Sequence, residues 1–173
     1  MSRTIRAVLA GLFAACFACA EAEPPGSPEQ PPALVVFVCE RGNVKSLMAA
    51  SYFNELASKR DLPFRSVSRG VAPDSTTVPP LIARALRSEG FDVADFHPTA
   101  ITAPEISAAA RVITIGAALP AATGAESPKF EQWDDVPPAS TNYPASSESL
   151  KTHVSDLLER LSPDHGEQRP TRR

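Results

Sequence analysis

Cys39, Lys45 and Ser46 are the residues of this chain whose types and spacing suit chemistry. They stand in the stretch "LVVFVCERGNVKSLMAASYF", residues 34–53, where an apolar run ends in a thiol. Five residues with one glycine follow, and a lysine and a serine then open what reads as a helix. A thiol facing a helix start sits in an electropositive place, because the first amides of a helix have no partner inside it. Such surroundings favour thiolate over thiol. If the loop of Glu40, Arg41, Gly42, Asn43 and Val44 curls with its N–H groups inward, those amides and the helix end form a cradle for an oxyanion. Ser46 is placed to hydrogen-bond the thiolate, and Lys45 adds a positive charge. A nucleophile beside an anion cradle is the apparatus for attack on a phosphate monoester.

The chain's other cysteines, Cys16 and Cys19, lie in its first twenty residues. Those residues read as an export signal: Arg3 and Arg6 precede an apolar stretch over 7–20, and Ala18-Cys19-Ala20 and Ala20-Glu21-Ala22 match a small-x-small cleavage site. The apolar stretch falls short of the roughly 20 residues of a membrane-spanning helix. An uncleaved anchor, or lipidation of Cys16 or Cys19, is the alternative. The expected location is therefore the periplasm or the exterior, with membrane contact only through an uncleaved or lipidated N-terminus. Cleavage removes two positive charges, taking the net charge from −3 to −5, and leaves Cys39 as the single thiol. No intramolecular disulfide is then available. An exported protein that keeps one thiol in an oxidising compartment either uses it or buries it as an inert strand-end residue.

The elements that must position Cys39 alternate in period. Leu34–Val38 is a continuous apolar run, expected of a strand covered on both faces. Residues 46–58 place Ala49, Tyr52, Phe53, Leu56 and Ala57 on one helical face. Phe64–Ser68 reads as a second strand, "RVITI" as a third and "KFEQW" as a fourth. Between them, "TTVPPLIARALRSEG" predicts a helix with Thr77 as its cap and Gly90 as its stop. "TAPEISAAA" has Thr102 and Glu105 at capping-box spacing. Leu150, Val154, Leu157, Leu158 and Leu161 form the stripe of a last helix. This alternation predicts a small three-layer α/β domain over residues 33–161, with a central four-stranded parallel sheet flanked by helices. Residues 21–32, with five prolines, read as a tether, and 162–173 as a polar, disordered tail.

With its elements in this order, "VVFVCERGNVKS" resembles the active-site loop of the low-molecular-weight protein tyrosine phosphatases, a superfamily that includes arsenate reductases of similar fold. The pattern of that family is Cys, five residues, Arg, then Ser or Thr. Cys39, Lys45 and Ser46 keep the spacing, and the likeness extends through "AASYFNELA", "VPPLIARALRSEGFDV", "ADFHPTAIT" and "RVITIG" to "QWDDVPPAS". It implies Cys39 as nucleophile, the 40–46 loop as oxyanion holder, and an aspartate in the "QWDDVPPAS" segment, near residue 135, as the acid that protonates the leaving group.

The departures bear on activity. Lys45 replaces the arginine whose planar fork grips two phosphate oxygens, so the charge is kept and the geometry is not. Arg41 and Gly42 stand where the family usually has Gly and Asn, and Arg41 is a candidate to supply the missing guanidinium. Aligning Trp133 with the tryptophan of the arsenate-reductase branch puts Pro137 where the acid belongs. Asp134 and Asp135 then lie early, Asp135 being the better candidate. Trp133 and Tyr143 are candidates to flank an aromatic substrate, or are packing residues.

The reading is an exported cysteine-dependent phosphomonoesterase acting through a thiophosphoryl-enzyme. Its partner is a phosphorylated substrate or an inorganic oxyanion, phosphate or arsenate. The alternatives are an arsenate-reductase-like protein using an external thiol, and a non-catalytic oxyanion-binding module. A disulfide relay within the chain is excluded, because no cysteine follows Cys39. A net charge of −3 offers no basic field for nucleic acid. His97, His153 and His165 lack paired spacing, so no metal and no cofactor is expected.

Overall fold

The computed structural model describes residues 31–119 and 127–162. The segment expected to be an export signal, and nearly all of the expected tether and tail, lie outside those residues.

The described elements are β1 (Ala33–Cys39), α1 (Lys45–Lys59), β2 (Phe64–Gly70), α2 (Pro80–Ser88), α3 (Ala103–Ala108), β3 (Arg111–Ile115), β4 (Phe130–Trp133) and α4 (Tyr143–Leu161). The fold is α/β: a four-stranded, all-parallel sheet in the order β2-β1-β3-β4, flanked by helices. Its register pairs Cys39 with Gly70, Val38 with Thr114 and Ile115 with Trp133. The ends of all four strands thus meet along one edge, and the thiol sits at the middle of it.

The apolar run of β1 is buried on both faces, as a central parallel strand requires. Val35 and Phe37 point into the larger core with α1, α2 and α4, while Val36 and Val38 join Val112 and Ala109 on the α3 side. Phe37 anchors the larger core, its ring 5.6 Å from Phe53 and 5.5 Å from Trp133. On α1 the expected face is buried at Ala49, Tyr52, Phe53 and Ala57, with Leu56 partly so. The stripe of α4 is buried from Leu150 to Leu158, and Leu161 packs at its margin.

Thr102 and Glu105 form the expected capping box on α3. Thr77 does not cap α2. That helix begins at Pro80, and Pro79 before it is extended, with φ −54° and ψ 136°. A residue that precedes proline is kept out of the helical region, so the Pro79-Pro80 pair delays the start by sterics alone.

Candidate active site

Cys39 lies at the end of β1, 6% exposed, and its loop is held from behind by the end of β2. Val71 N–H donates to the Cys39 carbonyl at 3.0 Å and Ala72 N–H to the Glu40 carbonyl at 2.9 Å. Ser68 Oγ donates to the Gly42 carbonyl at 3.0 Å. In a trans peptide the carbonyl and the next N–H point opposite ways. With these three carbonyls turned towards β2, the N–H groups of Glu40, Arg41 and Asn43 turn away from it, towards the cavity those residues line. The amides of Arg41, Asn43 and Val44 donate to no group among the described residues. The N-cap of α1, Val44, offers no side-chain cap. Unpaired amides and an uncapped helix start therefore converge beside the thiol, which suits an anion.

Two glycines make this contact close enough. Gly42 has φ +75°, and a Cβ on it would lie 2.6 Å from Gly70 N and 2.8 Å from the Arg69 carbonyl carbon. A Cβ on Gly70 would lie 2.7 Å from the carbonyl carbon of Arg41. Asn43, buried, secures the far side of the loop by donating from Nδ2 to the Thr77 carbonyl at 3.1 Å. Thr77, expected as a cap, thus serves the loop through its main chain.

The thiol has two polar neighbours. Ser46 Oγ is 3.0 Å from Sγ, and Gly42 N–H donates to Sγ at 3.3 Å. Behind Ser46, Ser68 Oγ lies 2.9 Å from Ser46 Oγ, so its one proton is shared between Ser46 and the Gly42 carbonyl, and when it serves Ser46 the Ser46 proton points at sulfur. All three serine and cysteine side chains are buried. Ser68 escaped the sequence reading, since a serine on a parallel strand carries no motif. Its register position, two residues before the partner of Cys39, is the signal that locates it.

These groups open into a cavity of about 520 Å³. Cys39, Glu40, Arg41, Asn43, Val44 and Lys45 line it on one side, with Asp74, Ser75, Gly116, Pro138, Ala139 and Ser140 among the facing residues. The Lys45 ammonium lies over Gly116, where a Cβ would come within 2.5 Å of Nζ. The missing side chain at the end of β3 is what leaves the lysine room. Arg41 pairs with Asp74 at the rim, Nε to Oδ2 at 2.9 Å, with both side chains more than half exposed. Among the described residues, no group of His, Cys, Asp and Glu is arranged to hold a metal ion.

The structure does not bring the remaining candidates into this cavity. Asp135 faces α4, its carboxylate oxygens 2.9 and 3.0 Å from His153 Nε2. Asp134 accepts from Gln132 Nε2 at 2.8 Å. The cavity wall beyond β4 is built from Pro138, Ala139 and Ser140, and its carboxylates are Glu40 and Asp74. Trp133 is 2% exposed, stacks on His153 with ring centres 4.7 Å apart, and donates from Nε1 to Glu131 at 2.8 Å. It is a core residue because its side chain falls on the α4 face of the sheet, not because of its place near the strand end. Tyr143 is likewise elsewhere, donating to Glu89 at 2.7 Å in a cluster with Tyr52 and Lys151. Burial, then the hydrogen bonds to Glu89 and Tyr52, hold its hydroxyl well above the ordinary tyrosine range.

No protein-family model matches the chain, and no curated protein is significantly similar to it. Solved structures are. YfkJ from Bacillus subtilis is 18% identical, covering 79% of this chain and 98% of its own, with a TM-score of 0.66. The thioredoxin-dependent arsenate reductase of Corynebacterium glutamicum is 20% identical over 79% of this chain and 65% of its own, TM-score 0.63. A low-molecular-weight protein tyrosine phosphatase from T. tengcongensis is 19% identical over 74% of this chain and 99% of its own, TM-score 0.62. The domain therefore has the fold shared by low-molecular-weight tyrosine phosphatases and arsenate reductases.

Proposed function

We propose that the chain is an exported, cysteine-dependent phosphomonoesterase of the low-molecular-weight tyrosine phosphatase type. The observation that carries the reading is the Cys39 thiol, held by Ser46 Oγ at 3.0 Å and Gly42 N–H at 3.3 Å on the cavity wall that the loop amides face. The Cys39 sulfur attacks phosphorus and the bond to the leaving oxygen breaks. That oxygen leaves as an alkoxide or phenolate and takes a proton. Water then attacks the thiophosphoryl group, the S–P bond breaks, and inorganic phosphate and the thiolate are released. Loop amides and Lys45 hold the equatorial oxygens throughout, the electrostatic part of catalysis. With neither Asp134 nor Asp135 on the cavity, turnover depends steeply on the leaving group. Aryl phosphates, whose phenolates leave with little help, are the substrates to expect. The fold's occurrence in a tyrosine phosphatase supports that class.

A second reading, an oxyanion-binding module without turnover, is favoured by the position of Asp135 on His153. Arsenate reduction stands behind both, since once the leader carrying Cys16 and Cys19 is cleaved it requires a thiol from outside the chain. The deciding experiment follows p-nitrophenyl phosphate hydrolysis between about pH 5 and 8 in the wild type and Cys39→Ser, with phosphate binding measured in both. Turnover lost and binding kept in the serine variant is expected of the phosphatase. No turnover in either, with phosphate bound by both, makes the chain a binding module.

A further inference from the structure

Lys45 supplies charge but not a fork, so the helix start beside Cys39 lacks a guanidinium for the oxyanion. Arg41 is the guanidinium on the cavity wall. It sits two residues beyond the nucleophile, on a loop whose backbone is fixed against Gly70. Its side chain is not fixed in the same way. The Arg41 guanidinium meets Asp74 as an ion pair, Nε to Oδ2 at 2.9 Å. The side chains are 63% and 58% exposed. Ion pairs of this kind are held weakly. A tetrahedral dianion, by contrast, offers an arginine two oxygens at once, the arrangement in which it binds best. Asp74 lines the same cavity, in the segment that follows β2, so the guanidinium and its partner carboxylate both stand at the cavity's rim.

We propose that Arg41 is the anion-gripping arginine of this site and that Asp74 is its competing partner, surrendering the guanidinium to a tetrahedral dianion that enters beside Cys39. The exchange is one of ion pairs, with no bond made or broken. Arg41 then does from the second loop position what the residue at position 45 does not, and Asp74 acts only through it. The proposal rests on the oxyanion-site reading. It narrows the ligand to a dianion with two free oxygens, such as phosphate or a phosphate monoester, over a monoanion of similar size.

The test is a double-mutant cycle read by calorimetric titration of the full chain with inorganic phosphate. Arg41→Gln is expected to weaken binding about tenfold or more. Asp74→Asn is expected to tighten it severalfold by removing the competitor. In the double variant that tightening disappears, and Asp74→Glu restores the wild-type affinity. Both side chains are exposed, and circular dichroism of each variant checks that the fold is kept. If Asp74→Asn leaves affinity unchanged, or tightens it equally in the Arg41→Gln background, the exchange is refuted while the oxyanion site stands. If Arg41→Gln binds phosphate as well as wild type and Lys45→Met does not, Arg41 is a solvated rim residue and the proposal falls alone. If the wild type binds no phosphate, the site reading and the proposal fall together.

Discussion

Replacing Gly42 with alanine tests whether the oxyanion loop rests directly on the end of β2. Gly42 and Gly90 both hold a left-handed backbone, at φ +75° and +93°. They differ in what a methyl group would meet. At Gly90 nothing lies within 4 Å, whereas at Gly42 the Cβ would lie 2.6 Å from Gly70 N and 2.8 Å from the Arg69 carbonyl carbon. Both variants therefore incur backbone strain of about 1–3 kcal/mol. Only Gly42→Ala adds a collision with immobile backbone, about 1–3 kcal/mol more when neighbours must shift. Gly90→Ala is the control that isolates the first term. Urea unfolding of the two variants should show Gly42→Ala as the less stable by the collision alone, with unchanged denaturant slope. If the loop yields instead of the fold, the loss moves into function. Displacing preorganised donors lowers turnover by roughly 10²–10³, while Gly90→Ala keeps the wild-type rate. Equal stability for the two variants, with full phosphate binding in Gly42→Ala, would refute the packing of loop on strand.

Other outcomes follow from the same geometry. Ser46→Ala removes the hydroxyl 3.0 Å from the Cys39 sulfur, a loss of about 1–1.5 kcal/mol, and should lower kcat/KM for p-nitrophenyl phosphate roughly tenfold. Ser68→Ala acts through Ser46 and forfeits about 1 kcal/mol, so a roughly fivefold fall is expected in the same assay. Asp135→Asn should change that rate by less than about threefold, where removal of a general acid costs roughly 10²–10⁴; a larger loss would mean the 134–140 segment brings Asp135 to the cavity. The hydrogen bond from Arg69, at 2.7 Å, holds the Glu105 carboxyl below the ordinary glutamate range. A lowered folded-state pKa gives stability that is complete above the unfolded value of about 4.3 and is lost as pH falls through the folded one. Urea unfolding from about pH 6 to 2.5 should therefore show a stability gap between wild type and Glu105→Gln that closes below about pH 4.

The sheet, its four strands and the helix faces are legible in the chain because period and burial are local properties. A run such as Leu34–Val38 states its own environment. The surroundings of the Cys39 thiol are legible for the same reason, since Cys39, Ser46 and the loop between them are neighbours in sequence. What is not legible depends on side-chain direction. Asp135 and Trp133 lie near the right edge of the sheet, but whether a residue after β4 faces the cavity or α4 is set by a half-turn of backbone that no pattern encodes. Their shared partner, His153, is 18 residues from Asp135. The pairs Gly42–Gly70 and Ser46–Ser68 join elements 28 and 22 residues apart, and they become visible only when β1 and β2 are in register.

The proposed covalent role of Cys39 is tested most directly by trapping the phosphoryl group on it. Wild-type protein should be mixed with an aryl phosphate, quenched in acid within the first turnovers, digested and weighed by mass spectrometry. A single phosphoryl group on the Cys39 peptide, absent from Cys39→Ser, is the predicted result. Turnover that proceeds with no phosphoryl group on that peptide, or that survives in Cys39→Ser, would contradict it.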